Sequence, residues 1–168
     1  LIRDYLSYNL SRQIGNYATR TVYCEVVING DYRGLYVMQE KIKSGTNRVN
    51  VTKIASTDNT EPNLSGGYIT KADKDTGGDP IAWTMSSYAG STNFIHELPK
   101  PTAVTSQQNA YIYNQFLNLE ATASASNASV VNGFPSVIDV HSFVDLMLIN
   151  EIASPLLSPL NLSYSRDF

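Results

Sequence analysis

Three basic side chains stand around a short glycine-containing loop and could contact a phosphate group. Lys41 and Lys43 precede the loop at residues 44–47, and Arg48 follows it. Ammonium and guanidinium groups form strong, charge-assisted hydrogen bonds with phosphate oxygens. The same residues would equally form an ordinary solvated basic surface, so both interpretations stay open for this loop.

A second group with possible chemistry is an acidic, glycine-rich turn. Asp73, Asp75 and Asp79 offer the carboxylate oxygens that a hard divalent cation prefers. Their spacing is not that of an EF-hand loop and no glutamate closes the set, which favours a solvated turn. His96 and His141 stand far apart in the chain without a cysteine nearby, so a zinc site is not predicted.

Several common catalytic motifs are missing from the chain. It contains neither the dinucleotide fingerprint GxGxxG nor a phosphate loop of the form GxxxxGK followed by Ser or Thr. The zinc-protease string HExxH and the hydrolase string GxSxG are missing as well. The sequence therefore gives no support to a dinucleotide-binding fold, a Walker-type nucleotide site or hydrolase chemistry.

Composition limits the partners. Of the 168 residues, 42% are hydrophobic and 16% are charged, and the net charge is -3. A chain without an excess of positive charge has no basic stripe for nucleic acid. No apolar run approaches the roughly 20 residues of a membrane span. The abundance of Ser, Thr and Asn favours an extracellular or cell-surface location, and the oligomeric state is not indicated.

The clearest predicted element is a β-hairpin over residues 21–40. Residues 21–28 are dense in β-branched and aromatic side chains, which favour strands. Asn29-Gly30 is a strong turn dipeptide, and strand character returns beyond Gly34. The pattern predicts two antiparallel strands that turn within residues 29–34.

An amphipathic helix is predicted at the start of the chain, over residues 1–14. Gly15 follows it as a natural C-terminal cap. Its apolar stripe repeats at every fourth position and consists of Ile2, Leu6, Leu10 and Ile14. Because the chain opens in this pattern at Leu1, we expect the sequence to be a piece of a longer protein.

Two further helices are predicted near the other end. Thr105 and Gln108 have the form of a capping box at the start of a helix of about 20 residues. Asp139 can cap the second helix, for which burial is predicted because its apolar residues lie nearly all round it. These residues are Phe143, Val144, Met147, Leu148 and Ile152.

Short strands are predicted between the first helix and the last two. They cover residues 49–54, 66–71, 81–84 and 94–98. The order of helix, sheet and two helices predicts an α+β fold, in which an antiparallel sheet with a β-hairpin is flanked by an N-terminal helix and two C-terminal helices. We expect residues 1–168 to form a single domain.

Four stretches, in this order along the chain, resemble the CotH (spore coat protein H-like) kinase family. The most specific is the hairpin segment, in which Asn29-Gly30 and Gly34 lead to a strand that ends in Glu40. The matching segments are residues 1–15, 26–42, 66–73 and 138–151. The resemblance implies an atypical kinase-like fold, of which this chain is the central portion without the N- and C-terminal flanks.

The family resemblance implies a function and its cofactors. A secreted or surface-associated kinase would transfer phosphate from ATP to Ser or Thr side chains of coat or cell-surface proteins, with Mg²⁺ or Mn²⁺. Phosphoryl transfer requires a cation at the phosphates, carboxylates that hold the metal, and a group that orients the acceptor hydroxyl.

The resemblance also assigns roles to residues. Glu40 matches the hairpin glutamate, which would orient a phosphate-binding lysine, while Arg3 and Lys41 would be further cofactor contacts. The alternative for Glu40 is a strand-end carboxylate paired with Lys41 or Lys43. Asn161 is the one candidate within the chain for a catalytic or metal-binding position.

Two alternatives to a kinase follow from residues that depart from the family pattern or suggest another ligand. Residues 154–161 carry no acid where the family places a catalytic aspartate, and Leu156 and Leu157 stand there instead. This favours a non-catalytic, pseudokinase-like surface or coat module that would be inactive by itself. The 11 tyrosines and Trp83 would suit a carbohydrate-binding surface, although strand aromatics are more often core residues.

Overall fold

The computed structural model of the chain describes residues 2–73, 77–87, 90–153 and, as backbone only, 163–166. These residues fall into two compact units. The first unit comprises Leu1–Lys43 with Asp139–Leu160, and the second comprises Ser44–Ile138 with Asn161–Phe168. The α+β class, with an N-terminal helix, antiparallel sheets and two C-terminal helices, is confirmed, while the kinase-like arrangement stays a prediction.

The first unit combines two helices with the predicted hairpin. Its elements are α1 (Ile2–Gln13), β1 (Thr21–Ile28), β2 (Asp31–Gln39) and α3 (Val140–Ala153). Tyr5 of α1 packs on Tyr23 of β1 with ring centroids 4.6 Å apart. Asn16, just beyond α1, donates a hydrogen bond of 2.7 Å to Asp145 of α3. These contacts join α1 to both the hairpin and α3.

The predicted apolar stripe of α1 is not the buried side of this helix. Gly15 adopts a φ of 97° beyond the helix, as predicted for its cap. Ser7 is buried, whereas Ile2 and Leu6 are exposed. Leu6 and Leu10 instead line an open groove with α3. Helical spacing identified the apolar side of α1, but the position of its neighbours decides which side is covered.

Burial of α3 was predicted wrongly. The Asp139 cap is confirmed, because its carboxylate accepts a hydrogen bond of 3.1 Å from the backbone N–H of His141. The exposed apolar side chains of α3, however, are Val140, Val144, Met147, Leu148 and Ile152. Within the first unit, α3 buries only the side that carries Ile149 and Ala153. A helix that is apolar all round predicts burial only if neighbours are present on every side.

The second unit is an antiparallel sheet packed against one long helix. The strands are β3 (Tyr68–Ala72), β4 (Trp83–Ser87), β5 (Gly90–Leu98) and β6 (Ser163–Arg166), in the order β4-β5-β3-β6. The helix α2 (Ser106–Ser124) packs its Ile112 against Tyr68 and Trp83. These three predicted strands are thus confirmed in outline, with β5 starting earlier and β3 and β4 starting later than the sequence indicated.

The predicted strand at residues 49–54 is wrong. Only an isolated bridge between Ser44 and Val49 forms there. Val49 and Val51 are buried, as strand-like alternation suggests, but the backbone at Val51 and Thr52 lies directly against Gly67. A Cβ atom on Gly67 would lie 2.3 Å from the Thr52 carbonyl oxygen. Close packing on a glycine, rather than a strand ladder, therefore fixes this segment.

A fully buried amide connects a loop to the start of α2. Gln108 forms the predicted capping box with Thr105 and is 0% exposed. Its Nε2 group also donates hydrogen bonds to the carbonyl oxygens of Ala55, at 2.7 Å, and Asp58, at 3.1 Å. One side chain thereby caps the helix and holds residues 55–58 in place.

We expect Gln108→Ala to lower the free energy of unfolding by roughly 2–3 kcal/mol, because two carbonyls and one N–H of the backbone lose their partner. Chemical denaturation of the two variants Gln108→Ala and Gln107→Ala measures this. Gln107 is the matched control, since it is exposed on the same turn of α2. Equal losses in both variants would contradict the role of Gln108.

His96 should make stability depend on pH. Burial lowers its pKa from the ordinary 6.5, and the hydrogen bond with Asn109 offsets this only in part. Between the lowered pKa and 6.5 the unfolded state binds more protons, so stability rises with pH in that window. The contribution of neutral His96 is fully present above pH 6.5 and is lost as the pH falls through the lowered pKa.

Denaturation at a series of pH values on both sides of 6.5 checks this expectation. His141 is exposed on α3 and serves as the control. The loss of stability in acid should persist in His141→Gln and should be reduced in His96→Gln. The reverse pattern would assign the pH dependence to a group other than His96.

Candidate functional site

The hairpin turns through a two-residue connection and then gains an extra residue. Asn29 and Gly30 both have positive φ, 53° and 83°, as a type I′ turn requires. Val27 pairs with Tyr32 but Val26 pairs with Gly34, so Arg33 has no partner across the ladder. Gly34 has a φ of 96°, which suits a bulge that only glycine adopts without strain.

This bulge decides which side chain faces Arg20. If the same two strands paired regularly from the turn, with no bulge, Gln39 would lie opposite Arg20 and Glu40 would point to the other face. With it, Thr21 pairs with Gln39, and the backbone N–H of Glu40 donates to the Arg20 carbonyl at 2.9 Å. Arg20 and Glu40 therefore lie side by side at the open end of the hairpin.

Arg20 and Glu40 form a two-pronged ion pair. Arg20 Nε lies 2.9 Å from Glu40 Oε2, and Arg20 Nη2 lies 2.6 Å from Glu40 Oε1. The Glu40 side chain is 9% exposed and that of Arg20 is 59% exposed. The hydrogen bonds and charge of Glu40 raise the pKa of Arg20, which stays a cation. Because Nη1 is not used in this pair, the partly exposed guanidinium keeps N–H donors for a further acceptor.

The same face of the hairpin is apolar and exposed. Side chains alternate along a strand, so Val22 lies on the face of Arg20, and Met38 pairs with Val22 across the ladder. Both are exposed, as is Tyr36, which pairs with Cys24 further along. Tyr23, on the opposite face, contacts α1. An exposed apolar surface with a fixed guanidinium at one end could receive a flat ring that carries an anionic group.

Arg3, the predicted contact on α1, lies in a different part of the first unit. It lines a groove of about 290 Å³ between α1 and α3, together with Leu6, Leu10, Ile149 and Ile152. Glu40 is not among the residues that line this groove. The structure thus gives Arg3 and Glu40 separate surroundings, and the cofactor role of Arg3 stays a prediction.

The other predicted site residues are placed as follows. Lys41 and Lys43 are exposed, and Arg48 is partly buried beside the loop at residues 44–47. Asp79 forms an ion pair of 3.1 Å with Lys71, which agrees with a solvated turn. Asn161 and Asp75 lie outside the described residues, so the catalytic or metal-binding role of Asn161 stays a prediction.

Three further features of the described part of the chain bear on function. Its side chains contain no group of three or more His, Cys, Asp or Glu that could hold a metal ion. None of its helices is both long enough and apolar enough to cross a membrane. Trp83 is 9% exposed within the core of the second unit, so it cannot serve as a carbohydrate-binding platform.

Arg20 is the site residue that sequence reasoning missed. The sequence places it just before the first strand, as Glu40 stands just after the second. Counting outward from Asn29-Gly30 pairs Arg20 with the wrong residue, because the count does not include the bulge. Gly34 is the sequence signal that could have predicted the Arg20–Glu40 pair, because a glycine inside a strand often marks a bulge.

Comparison with known proteins supplies one match. The family model described as CotH kinase protein matches residues 1–155, which is most of the chain. No curated protein and no solved structure matches the chain. The match to the family model confirms the predicted resemblance.

Replacing Gly34 tests whether the bulge fixes this geometry. An added Cβ atom meets no neighbour within 4 Å, so the cost comes from the positive φ alone. We expect Gly34→Ala to lower the free energy of unfolding by about 1–2 kcal/mol. Gly77→Ala is the control in thermal or chemical denaturation, because Gly77 also lies in open space and lacks a positive φ. Equal losses of stability in both variants would show that a side chain at position 34 causes no backbone strain.

Proposed function

Because the chain belongs to the CotH kinase family, we propose that the protein is an ATP-dependent phosphotransferase that acts on Ser or Thr side chains of coat or cell-surface proteins. The acceptor oxygen would form a bond to the γ-phosphorus, the bond to the ADP oxygen would break, and the hydroxyl proton would pass to a base or to water. An extracellular or cell-surface location is part of this proposal.

The observation that supports a nucleotide site on this chain is the Arg20–Glu40 pair. A partly exposed guanidinium, oriented by a nearly buried carboxylate, can donate its remaining N–H groups to phosphate oxygens without first becoming ordered. The family resemblance implies that Glu40 orients a phosphate-binding lysine; in this proposal Glu40 orients Arg20 toward the phosphates instead. The adjacent apolar surface at Val22 and Met38 would accept the purine ring.

Metal ions belong to the proposed reaction through the family alone. When bound, Mg²⁺ or Mn²⁺ would neutralise charge on the transferring phosphate. The described side chains include no cluster suited to hold such an ion. The described residues would bind the base and orient the phosphates.

A non-catalytic coat or surface module is the second candidate. It is favoured by Leu156 and Leu157, which stand where an acid is expected. Such a module would keep the hairpin and could still bind nucleotide. Binding of ATP without phosphate transfer is the result that would favour it over the kinase.

The test uses the full-length protein, with ATP binding measured by calorimetry and transfer of labelled γ-phosphate to a Ser-rich peptide. We expect Arg20→Gln to weaken ATP binding about tenfold or more, which corresponds to the roughly 1.5–3 kcal/mol of a hydrogen bond to a charged group. Adenosine binding should change little, because adenosine has no phosphate.

Arg33→Gln is the matched control for this experiment. Arg33 lies on the same hairpin, at the bulge, and pairs with Asp31 at 3.0 Å. ATP affinity should be unchanged in this variant. If the wild-type protein showed neither ATP binding nor phosphate transfer, the proposed function would be overturned. Equal effects of both substitutions would remove Arg20 from the site.

A further inference from the structure

Three buried polar atoms in the second unit have no hydrogen-bond partner among the described residues. They are Thr70 Oγ1, Trp83 Nε1 and His96 Nδ1. Thr70 and His96 are each 2% exposed and Trp83 is 9% exposed. Most buried polar groups in folded proteins are hydrogen-bonded, to protein or to internal water. Three such atoms in one small unit therefore call for a common explanation.

The three residues lie together on the face of the sheet that packs against α2. Thr70 of β3 and His96 of β5 are direct partners across the antiparallel ladder, so their side chains share one face. The rings of Trp83 and His96 meet edge-on with centroids 5.4 Å apart. His96 Nε2 reaches α2 and lies 2.8 Å from Asn109 Oδ1.

The hydrogen-bonding types of the three atoms complement one another. The Asn109 amide oxygen can only accept, so Nε2 of neutral His96 carries the proton, and Nδ1 keeps its lone pair as an acceptor. The indole N–H of Trp83 can only donate, and the Thr70 hydroxyl can do either. A single water oxygen can accept from Trp83 while one of its hydrogens is donated to His96. Thr70 then supplies a third partner, which is the usual number for an internal water.

We propose that Thr70, Trp83 and His96 form a binding site for one internal water molecule, which joins β3, β4 and β5 beneath α2. The site is independent of the proposed kinase function. Its ligand is water because the polar atoms are neutral and enclosed by the aromatic rings of Phe94, Tyr113 and Phe116 around Trp83. Such surroundings offer hydrogen bonds but no charge for an ion.

The substitution Thr70→Val tests the proposal by the sign of its effect. Valine has nearly the shape of threonine, so the change removes the hydroxyl alone. If water is bound, it loses a partner and the denaturation midpoint falls. If the hydroxyl has no partner at all, its removal leaves the midpoint unchanged or raises it, and this result would overturn the proposal.

Thr92→Val is the control for the general effect of this exchange in a strand. Thr92 lies on β5 and is partly exposed. The midpoint shift of Thr70→Val should be more destabilising than that of Thr92→Val. A more favourable shift at Thr70 than at Thr92 would count against bound water.

A second measurement on the wild-type chain needs no substitution. Trp83 is the single tryptophan, so its indole N–H gives one resonance in the NMR spectrum. A long-lived bound water should give this proton NOE and ROE cross-peaks of opposite sign at the water frequency. Complete absence of a water cross-peak, under conditions where other indole contacts are seen, would overturn the proposal even if Thr70→Val fails to fold.

Discussion

Arg33 of β2 has no cross-strand partner on β1, and this one-residue bulge sets every cross-strand pair from Val26 back to Arg20. Since side chains alternate between the faces of a strand, a shift of one residue would move Glu40 away from Arg20. The ion pair, its orientation and the apolar face beside it all depend on that register. Gly34 is essential to it because a residue with a side chain is strained at its positive φ.

The first unit contains few buried apolar residues of its own. In the part that the structure describes, they are Ala18, Ile149 and Ala153. Side-chain hydrogen bonds make up many of the contacts within this unit. Asn9 donates to the Tyr5 carbonyl within α1, while Arg12 reaches the Thr19 carbonyl ahead of β1. A unit held in this way leaves large apolar side chains on its surface, among them Met38 and Met147.

The second unit shows the opposite balance, with polar groups placed inside an aromatic core. Gln108 satisfies three backbone groups from a position that water does not reach. His96 packs edge-on against the Trp83 ring and is held by Asn109. Buried polar groups of this kind are costly unless all their partners are present, so they favour one arrangement of loop, sheet and helix over others.

Local chemistry was readable from the sequence alone. The Asn29-Gly30 turn, the Thr105–Gln108 capping box and the Asp139 cap each depend on a few neighbouring residues, and all three were predicted. The α+β class followed from the order of the elements, and the family followed from four stretches of sequence that resemble it. Strand register, helix burial and packing between distant segments could be decided only by the tertiary structure. The bulge, not the turn, paired Arg20 with Glu40. Among the described residues of the first unit, α3 buries only the side with Ile149 and Ala153, and packing against Gly67 replaced the strand expected at residues 49–54. The physical reason is that turns and caps are set by short-range backbone geometry, whereas register and burial depend on partners that are distant in sequence.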